Sequence, residues 1–405
     1  MTPLWRNREF ALLEAGRFLS TTGSAATTIA YPLLVLALTH SPAKAGVVAF
    51  ARVIPSALFA LIGGVAADRW NRKLLMLVAD GVRALAIGTL ATLVLTRHAP
   101  FWTIAVIAFV EGTGSVFFGL AFTGALKAVV PRRQLPAAVG AQRARASVIQ
   151  LIGPPIGGAL FALGRAVPFV FDTVSYAFSF VSLAAMRTPF QAERERDTAP
   201  IRTQIADGFR FLWQQPFIRA TTFVYALANV SVPALLLVII VVGKRDGLSS
   251  STIGGLFAAI GAALLVGSLA SPLFRRRLSM RGIILLELWT ALGSGLFLIW
   301  PSVWVLVAGL LPNAMAMPVT DSVVVGYRVA VTPEHLLGRA ESVRGNIARL
   351  IDPFGALAAG VLLSAVSARA TVAVFFAWSA ALLCWGMLSR AIRNAPSLAE
   401  LDGPF

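Results

Sequence analysis

The chain alternates long apolar runs with short polar breaks. A helix needs roughly 20 apolar residues to cross the hydrocarbon of a bilayer. Twelve such runs can be traced, at about 15–38, 43–67, 74–96, 102–126, 138–163, 166–187, 218–242, 251–273, 282–300, 303–327, 340–366 and 370–390. Arg143 and Arg145 interrupt the fifth, and Arg344, Arg349 and Asp352 the eleventh. One long polar stretch, 188–217, separates the sixth run from the seventh. In its second part Ile201, Ile205, Phe209 and Leu212 recur at helical spacing, which predicts an amphipathic helix lying at the membrane interface. The first run continues to Leu38 with no small-residue cleavage site, so it reads as a span and not a signal peptide. The pattern predicts an all-α membrane protein of twelve transmembrane helices.

Composition agrees. Hydrophobic residues make up 57% of the 405 and charged residues 13%, where soluble domains carry roughly a quarter. The net charge of +17 would suggest nucleic acid in a soluble protein, but here the positive-inside rule accounts for it. With the N-terminus, the even-to-odd loops, the central stretch and the C-terminus on one side, that side holds 22 Lys and Arg. The other holds 6, and 7 lie within spans, which accounts for all 35. This asymmetry predicts that both termini and the central stretch are cytoplasmic. The heavy use of Arg and Ala suggests a bacterial plasma (inner) membrane. The one cysteine, Cys384, excludes a disulfide framework. His40, His98 and His335 fall in loops without metal-ligand spacing, so no metal site is expected.

The chain also repeats at half length. VVPRRQLPAAVGAQ from Val129 matches the stretch from Val331 at an offset of 202 residues, aligning Pro131 with Pro333, Leu135 with Leu337, Gly153 with Gly355 and Gly158 with Gly360. Two six-helix bundles, 1–187 and 218–405, joined by a linker over 188–217, are the repeat architecture of a large transporter class.

Between the second and third runs stands GVAADRWNRK, with Gly64, Asp68, Arg69, Arg72 and Lys73. This loop resembles the signature of the major facilitator superfamily, and the likeness extends over nearly the whole chain. Asn71 occupies a position where a second glycine is usual, and Asn tolerates a left-handed backbone. Helix 5 carries GPPIGG, with Gly153, Pro154, Gly157 and Gly158, and Gly140 at an earlier glycine position. This is similar to the antiporter motif of drug exporters in that superfamily, with Ile149 replacing the middle glycine. Small residues let helices approach closely, and Pro154 removes a backbone hydrogen bond so the helix can bend. The stretches at 16–39, 51–85 and 129–141 resemble the macrolide-efflux and enterobactin-exporter branch. The resemblance implies export of a small hydrophobic or amphipathic molecule by proton antiport and alternating access, drawing on the proton-motive force with no cofactor. A monomer in the lipid bilayer is expected.

A charge near the bilayer centre costs at least ~2.5–3.5 kcal/mol, so ionisable residues in spans face a partner or a cavity. Arg52 and Glu111 both lie roughly 10–13 Å from the outer surface, positioned to pair or to share a cavity. Glu111 is the first candidate for a proton-carrying carboxylate, and a static Arg–Glu pair is the competing reading. Asp172 reads as a helix cap near the outer face. On the inner half, Asp80 and Arg83 stand at i, i+3 on one helix face, as do Glu14 and Arg17. Arg143 and Arg145 enter from helix 5. A network joining these to Asp68 would form a gate, with Asp68 as a latch. The polar residues in the later spans are Glu287, Asn313, Asp321, Arg344, Asn346, Arg349 and Asp352. Asp352 and Arg349 form the preferred site there, with an internal pair between them as the alternative.

Two rivals remain. An importer could use the same fold, and the glycine motif argues against it. An intramembrane enzyme would need clustered nucleophile, His or carboxylate chemistry, and none is evident. No GxxxxGK[ST] occurs, which excludes an ATP-driven pump of that type.

Overall fold

The computed structural model describes residues 6–60, 70–190 and 201–395. Among the described residues twelve helices are long and apolar enough to cross a membrane: α1 Arg8–Thr39, α2 Pro42–Ala60, α3 Arg72–Leu95, α4 Phe101–Val129, α5 Leu135–Leu163 and α6 Val167–Ala184. They continue with α7 Pro216–Arg245, α8 Ser250–Arg277, α9 Met280–Ile299, α10 Val303–Val331, α11 Leu336–Ala365 and α12 Ala368–Leu388. No strand occurs among the described residues. The twelve expected spans are all present among the described residues.

Helix ends follow local chemistry. Asn7 caps α1, accepting from the amides of Glu9 and Phe10, and the same Asn donates to the Val129 carbonyl at the end of α4 at 3.0 Å. Ser41, Ser279 and Ser367 cap α2, α9 and α12. Asn71 caps α3 by accepting from the Leu74 amide at 3.1 Å, with φ −61° and ψ 112°. Its backbone is extended, so it stands in the motif as a cap and not as a left-handed substitute for glycine. Two breaks fall just before a proline, whose ring carries no N–H and so removes one backbone hydrogen bond from the helix. α11 has a joint at Asp352 just before Pro353, and α2 has a turn at Ile54 before Pro55.

Two compact units are present: Met1–Glu195 with Lys244–Ala258, and Arg196–Gly243 with Ala259–Phe405. In the first, α1 packs on α5 and α6, α3 on α4 and α6, and α2 on α4. Its core joins Phe10, Leu13, Met76, Phe118, Phe122 and Phe190. In the second, Val224, Ile283, Ile284, Leu288, Val323 and Leu382 form the core of α7, α9, α10 and α12. There α9 and α10 cross at Gly293 and Gly309, so closely that a Cβ on Gly293 would lie 1.9 Å from the Gly309 carbonyl oxygen.

The linker helix, Ile201–Gln214, forms where the amphipathic spacing predicts it and packs against α11. Phe211 and Leu212 are buried against Ala340 and Val343 of α11, and Asp207 pairs with Arg339 at 2.9 Å. The helix therefore docks on α11, while Phe209 and Trp213 stack on its exposed side at 5.3 Å.

Large apolar side chains such as Leu85, Leu269 and Ile299 are at least 74% exposed, whereas Asp172, Asp80 and Glu111 are at most 1% exposed. Such inside-out polarity suits a bundle whose solvent is lipid, where every buried polar group must find a partner within the protein. The inward polar residues are therefore where function is to be sought.

Candidate functional site

The buried polar groups of the first unit start from α6. Asp172, Ser175, Tyr176 and Ser179 recur at i, i+3, i+4 and i+7, one face of a helix, and all are at most 1% exposed. This face lies against α1 because α1 carries glycine where the two meet. A Cβ on Gly23 would stand 2.4 Å from both the Asp172 carboxylate and the Ser175 hydroxyl, and one on Gly16 would stand 3.3 Å from the Ser179 Cα. α6 opens at Val167, with Pro168 in its first turn. Asp172 thus sits in the helix interior and caps nothing, contrary to its expected role.

Across α1, Arg52 of α2 meets Glu111 of α4. Arg52 Nε donates to Glu111 Oε2 at 2.7 Å and Nη2 to Oε1 at 2.9 Å, a bidentate, charge-assisted pair. Its local cause is Gly112, whose Cβ would lie 2.1 Å from the Arg52 carbonyl oxygen, so only glycine lets α4 approach α2 here. The expected pairing of these residues is found. Tyr176 donates to Glu111 Oε1 at 3.0 Å and also contacts the Ser24 hydroxyl at 2.7 Å. Arg52 donates in addition to the Thr28 hydroxyl at 2.6 Å and the Ser24 carbonyl at 2.8 Å.

Thr27 of α1 joins the pair to Asp172. Its hydroxyl donates to Asp172 Oδ2 at 3.1 Å and accepts from Arg52 Nη2 at 3.3 Å. Asp172 Oδ1 accepts from Ser175 Oγ at 3.1 Å. Among the described residues no Arg or Lys forms an ion pair with Asp172. One hydrogen-bonded chain therefore runs Asp172, Thr27, Arg52, Glu111, Tyr176 and Ser24 through four helices. Both hydroxyls on Asp172 have a second acceptor: Thr27 can turn to the Ser24 carbonyl at 3.0 Å, and Ser175 to the Asp172 carbonyl at 2.7 Å. A hydroxyl has one proton to give. The arrangement can accept a charged Asp172 by pointing both hydroxyls at it, and a protonated one by turning them to the backbone.

A second group of charges lies nearer the motif loop. Asp80 and Arg83 pair on α3, both at most 4% exposed, and the Arg83 guanidinium sits over the Tyr176 ring at 4.2 Å and Phe118 at 4.9 Å. Glu14 pairs with Arg145 of α5. Arg17 lies over Phe122 at 4.4 Å, which is cation–π support in place of an acid. Arg143 is exposed, so α5 contributes Arg145 to this network and not Arg143.

Of the motif loop, Gly64, Asp68 and Arg69 lie outside the described residues. Its bases hold the end of α6 and the chain that follows it: Lys73 donates to the Met186 carbonyl at 2.5 Å and Arg72 to the Phe190 carbonyl at 3.2 Å. Arg72 runs past Gly124, where a Cβ would lie 2.5 Å from its Nε. Positive charge at a helix C-terminus is favourable. The helix-5 motif is a packing device, with Gly153 against Ala25 and Gly157 against the Ala26 carbonyl at a would-be Cβ distance of 2.2 Å. Gly158 meets Ser250 and Gly254 at the start of α8. Gly140 faces open space and has no such role.

In the second unit, Arg349 is exposed and donates to Asn346 at 3.3 Å, and Asp352 sits at the joint of α11 without it, so the Arg349–Asp352 pair does not form. Glu287 of α9 is 9% exposed, and its Oε2 has no hydrogen-bond partner. Thr320, Asp321 and Tyr225 face it, and no basic residue among those described pairs with it. The hydroxyl stripe on α6 and Thr27 on α1 were missed in the sequence, although the spacing from Asp172 to Ser179 carried the signal.

The comparisons agree with this architecture. The multidrug efflux pump Tap of Mycolicibacterium fortuitum is 27% identical over 97% of this chain and 96% of its own length. Macrolide efflux protein A of Streptococcus pyogenes is 24% identical over 86% and 87%. A bacterial homologue of the human lysosomal transporter Spinster, solved inward-facing and unoccupied, superposes with a TM-score of 0.74 at 15% identity, covering 98% of this chain and 100% of its own. The profile of the transmembrane secretion effectors matches residues 1–402. The chain therefore belongs to the transmembrane secretion effector family of the major facilitator superfamily and is a transporter, not an enzyme.

Proposed function

We propose that this chain exports a small hydrophobic or amphipathic molecule across the bacterial plasma membrane, with both termini cytoplasmic, in exchange for entering protons and by alternating access. The names of its relatives support efflux. The observation that carries proton coupling is Asp172, fully buried, held by two hydroxyls that each have another acceptor, and linked through Thr27 to the Arg52–Glu111 pair. A carboxylate taken out of water without a cation beside it is costly while charged, so a proton arriving from the outer side has a place to go. Its arrival releases Thr27, which also accepts from Arg52, and so changes what holds Arg52 and Glu111. Asp172 is the proposed proton carrier, and the Arg52–Glu111 pair answers through Thr27. Asp68 is the proposed latch of the motif loop.

The test is accumulation of macrolides and amphipathic dyes in cells lacking their own exporters, with and without the gene and with a protonophore. Expression should lower intracellular compound, the protonophore should restore it, and Asp172→Asn should behave like the empty vector while still reaching the membrane. Export that the protonophore leaves intact would remove proton coupling from the account.

A further inference from the structure

Where α7 begins and α12 ends, the second unit forms a groove of about 470 Å³ that no part of the transport chemistry uses. Its floor and walls are Ala220 and Phe223 of α7, Trp213 of the linker helix and Trp385 of α12, with Arg219 and Arg390 among its lining residues. Trp213 meets Phe223 edge-on at 6.3 Å, with the Arg219 guanidinium over its ring at 5.1 Å. Trp213 and Trp385 are 49% and 39% exposed, and Leu388, the last residue of α12, is 70% exposed. No acidic side chain lines the groove.

This is an apolar slot with two cations, placed where two spans leave the hydrocarbon and where tryptophan marks the level of the headgroups. Of its five N–H groups, Arg219 spends one on the Trp213 carbonyl, at 2.9 Å. Arg390 follows Ser389 directly after the last turn of α12 and is exposed. A guanidinium matches phosphate in two-point geometry, while the aromatic walls suit an acyl chain. We infer that this groove binds one anionic phospholipid, its phosphate held by Arg219 and Arg390 and a chain laid along Trp213, Phe223 and Trp385. Charge complementarity selects an anionic over a zwitterionic headgroup. Because Trp213 belongs to the linker helix, a bound lipid also fastens that helix to α7 and α12.

The test uses the full-length chain in detergent, titrated with phosphatidylglycerol, phosphatidylcholine, or inorganic phosphate, and read by native mass spectrometry and thermal unfolding. The expected result is one retained phosphatidylglycerol per chain, a higher melting temperature than with phosphatidylcholine, and no effect of phosphate alone. Removing each arginine, as Arg219→Gln or Arg390→Gln, should weaken phosphatidylglycerol binding about fivefold, and Arg390→Gln should do so without changing the melting temperature in phosphatidylcholine. If Arg219→Gln loses its fold, Arg390→Gln alone decides, since its side chain is exposed. Equal retention of both lipids, undiminished retention by Arg390→Gln, or an equal response to phosphate alone would each overturn the lipid site. None of these readouts depends on transport, so the lipid site and the export reading fail separately.

Discussion

Thr27 donates its single hydroxyl proton to Asp172 at 3.1 Å while accepting from Arg52 at 3.3 Å. Its hydroxyl joins the lone acid to the Arg52–Glu111 pair by hydrogen bonds. Thr27→Val keeps the volume and removes the link. It should leave Asp172 short of a donor, at a cost of about 1–3 kcal/mol, and shift the pH dependence of transport without abolishing it. Transport assayed across a pH series in everted membrane vesicles checks this.

The Arg52–Glu111 pair should show strong coupling. Breaking a buried pair from one side costs about 3–5 kcal/mol, whereas replacing both partners by apolar residues is often near neutral. Arg52→Met and Glu111→Leu should each lower thermal stability sharply, and the double variant should recover most of the loss. Losses that simply add in a double-mutant cycle would mean that the 2.7 and 2.9 Å bonds contribute little.

Glycines of one motif should respond differently. Gly157→Ala drives a Cβ to within 2.2 Å of the Ala26 carbonyl oxygen and must push α5 from α1. Lower expression and a lower melting temperature are expected. Gly140→Ala meets nothing within 4 Å and should be neutral or stabilise by up to ~1 kcal/mol through helix propensity.

Lys73 holds the carbonyls at the end of α6 from an accessible position. Lys73→Met should cost about 0.3–1 kcal/mol, the range for a charge at a helix terminus. Its melting temperature should therefore fall by much less than that of Gly157→Ala. A fall as large as that of the glycine variant would show the base doing more than capping.

Most of the fold was legible from the sequence, because lipid forces each span to declare itself as an apolar run of fixed length. Of the same-helix pairs, Asp80–Arg83 forms as its spacing predicts, whereas Arg349 turns to Asn346 and not to Asp352. Pairs across helices were only half legible. Arg52 and Glu111 could be matched by depth, but Glu14 chose Arg145 over its neighbour Arg17 because helix rotation decides which side chain faces the bundle. Asp172 was misread as a cap although the apolar run from 166 already marks the start of α6 at Val167 and leaves Asp172 beyond its first turn. The carboxylate of Glu287 could be named but not ranked, since what surrounds it comes from two other helices, α7 and α10.

The central claim is that export draws on protons through Asp172. The most direct measurement reconstitutes the chain in liposomes loaded with a pH-sensitive dye, and adds on the side that substrate leaves a macrolide or dye found to be exported in cells. The account predicts that substrate moves one way as protons move the other, and that Asp172→Asn retains substrate exchange but moves no protons. Substrate-linked proton movement that survives in Asp172→Asn would contradict it.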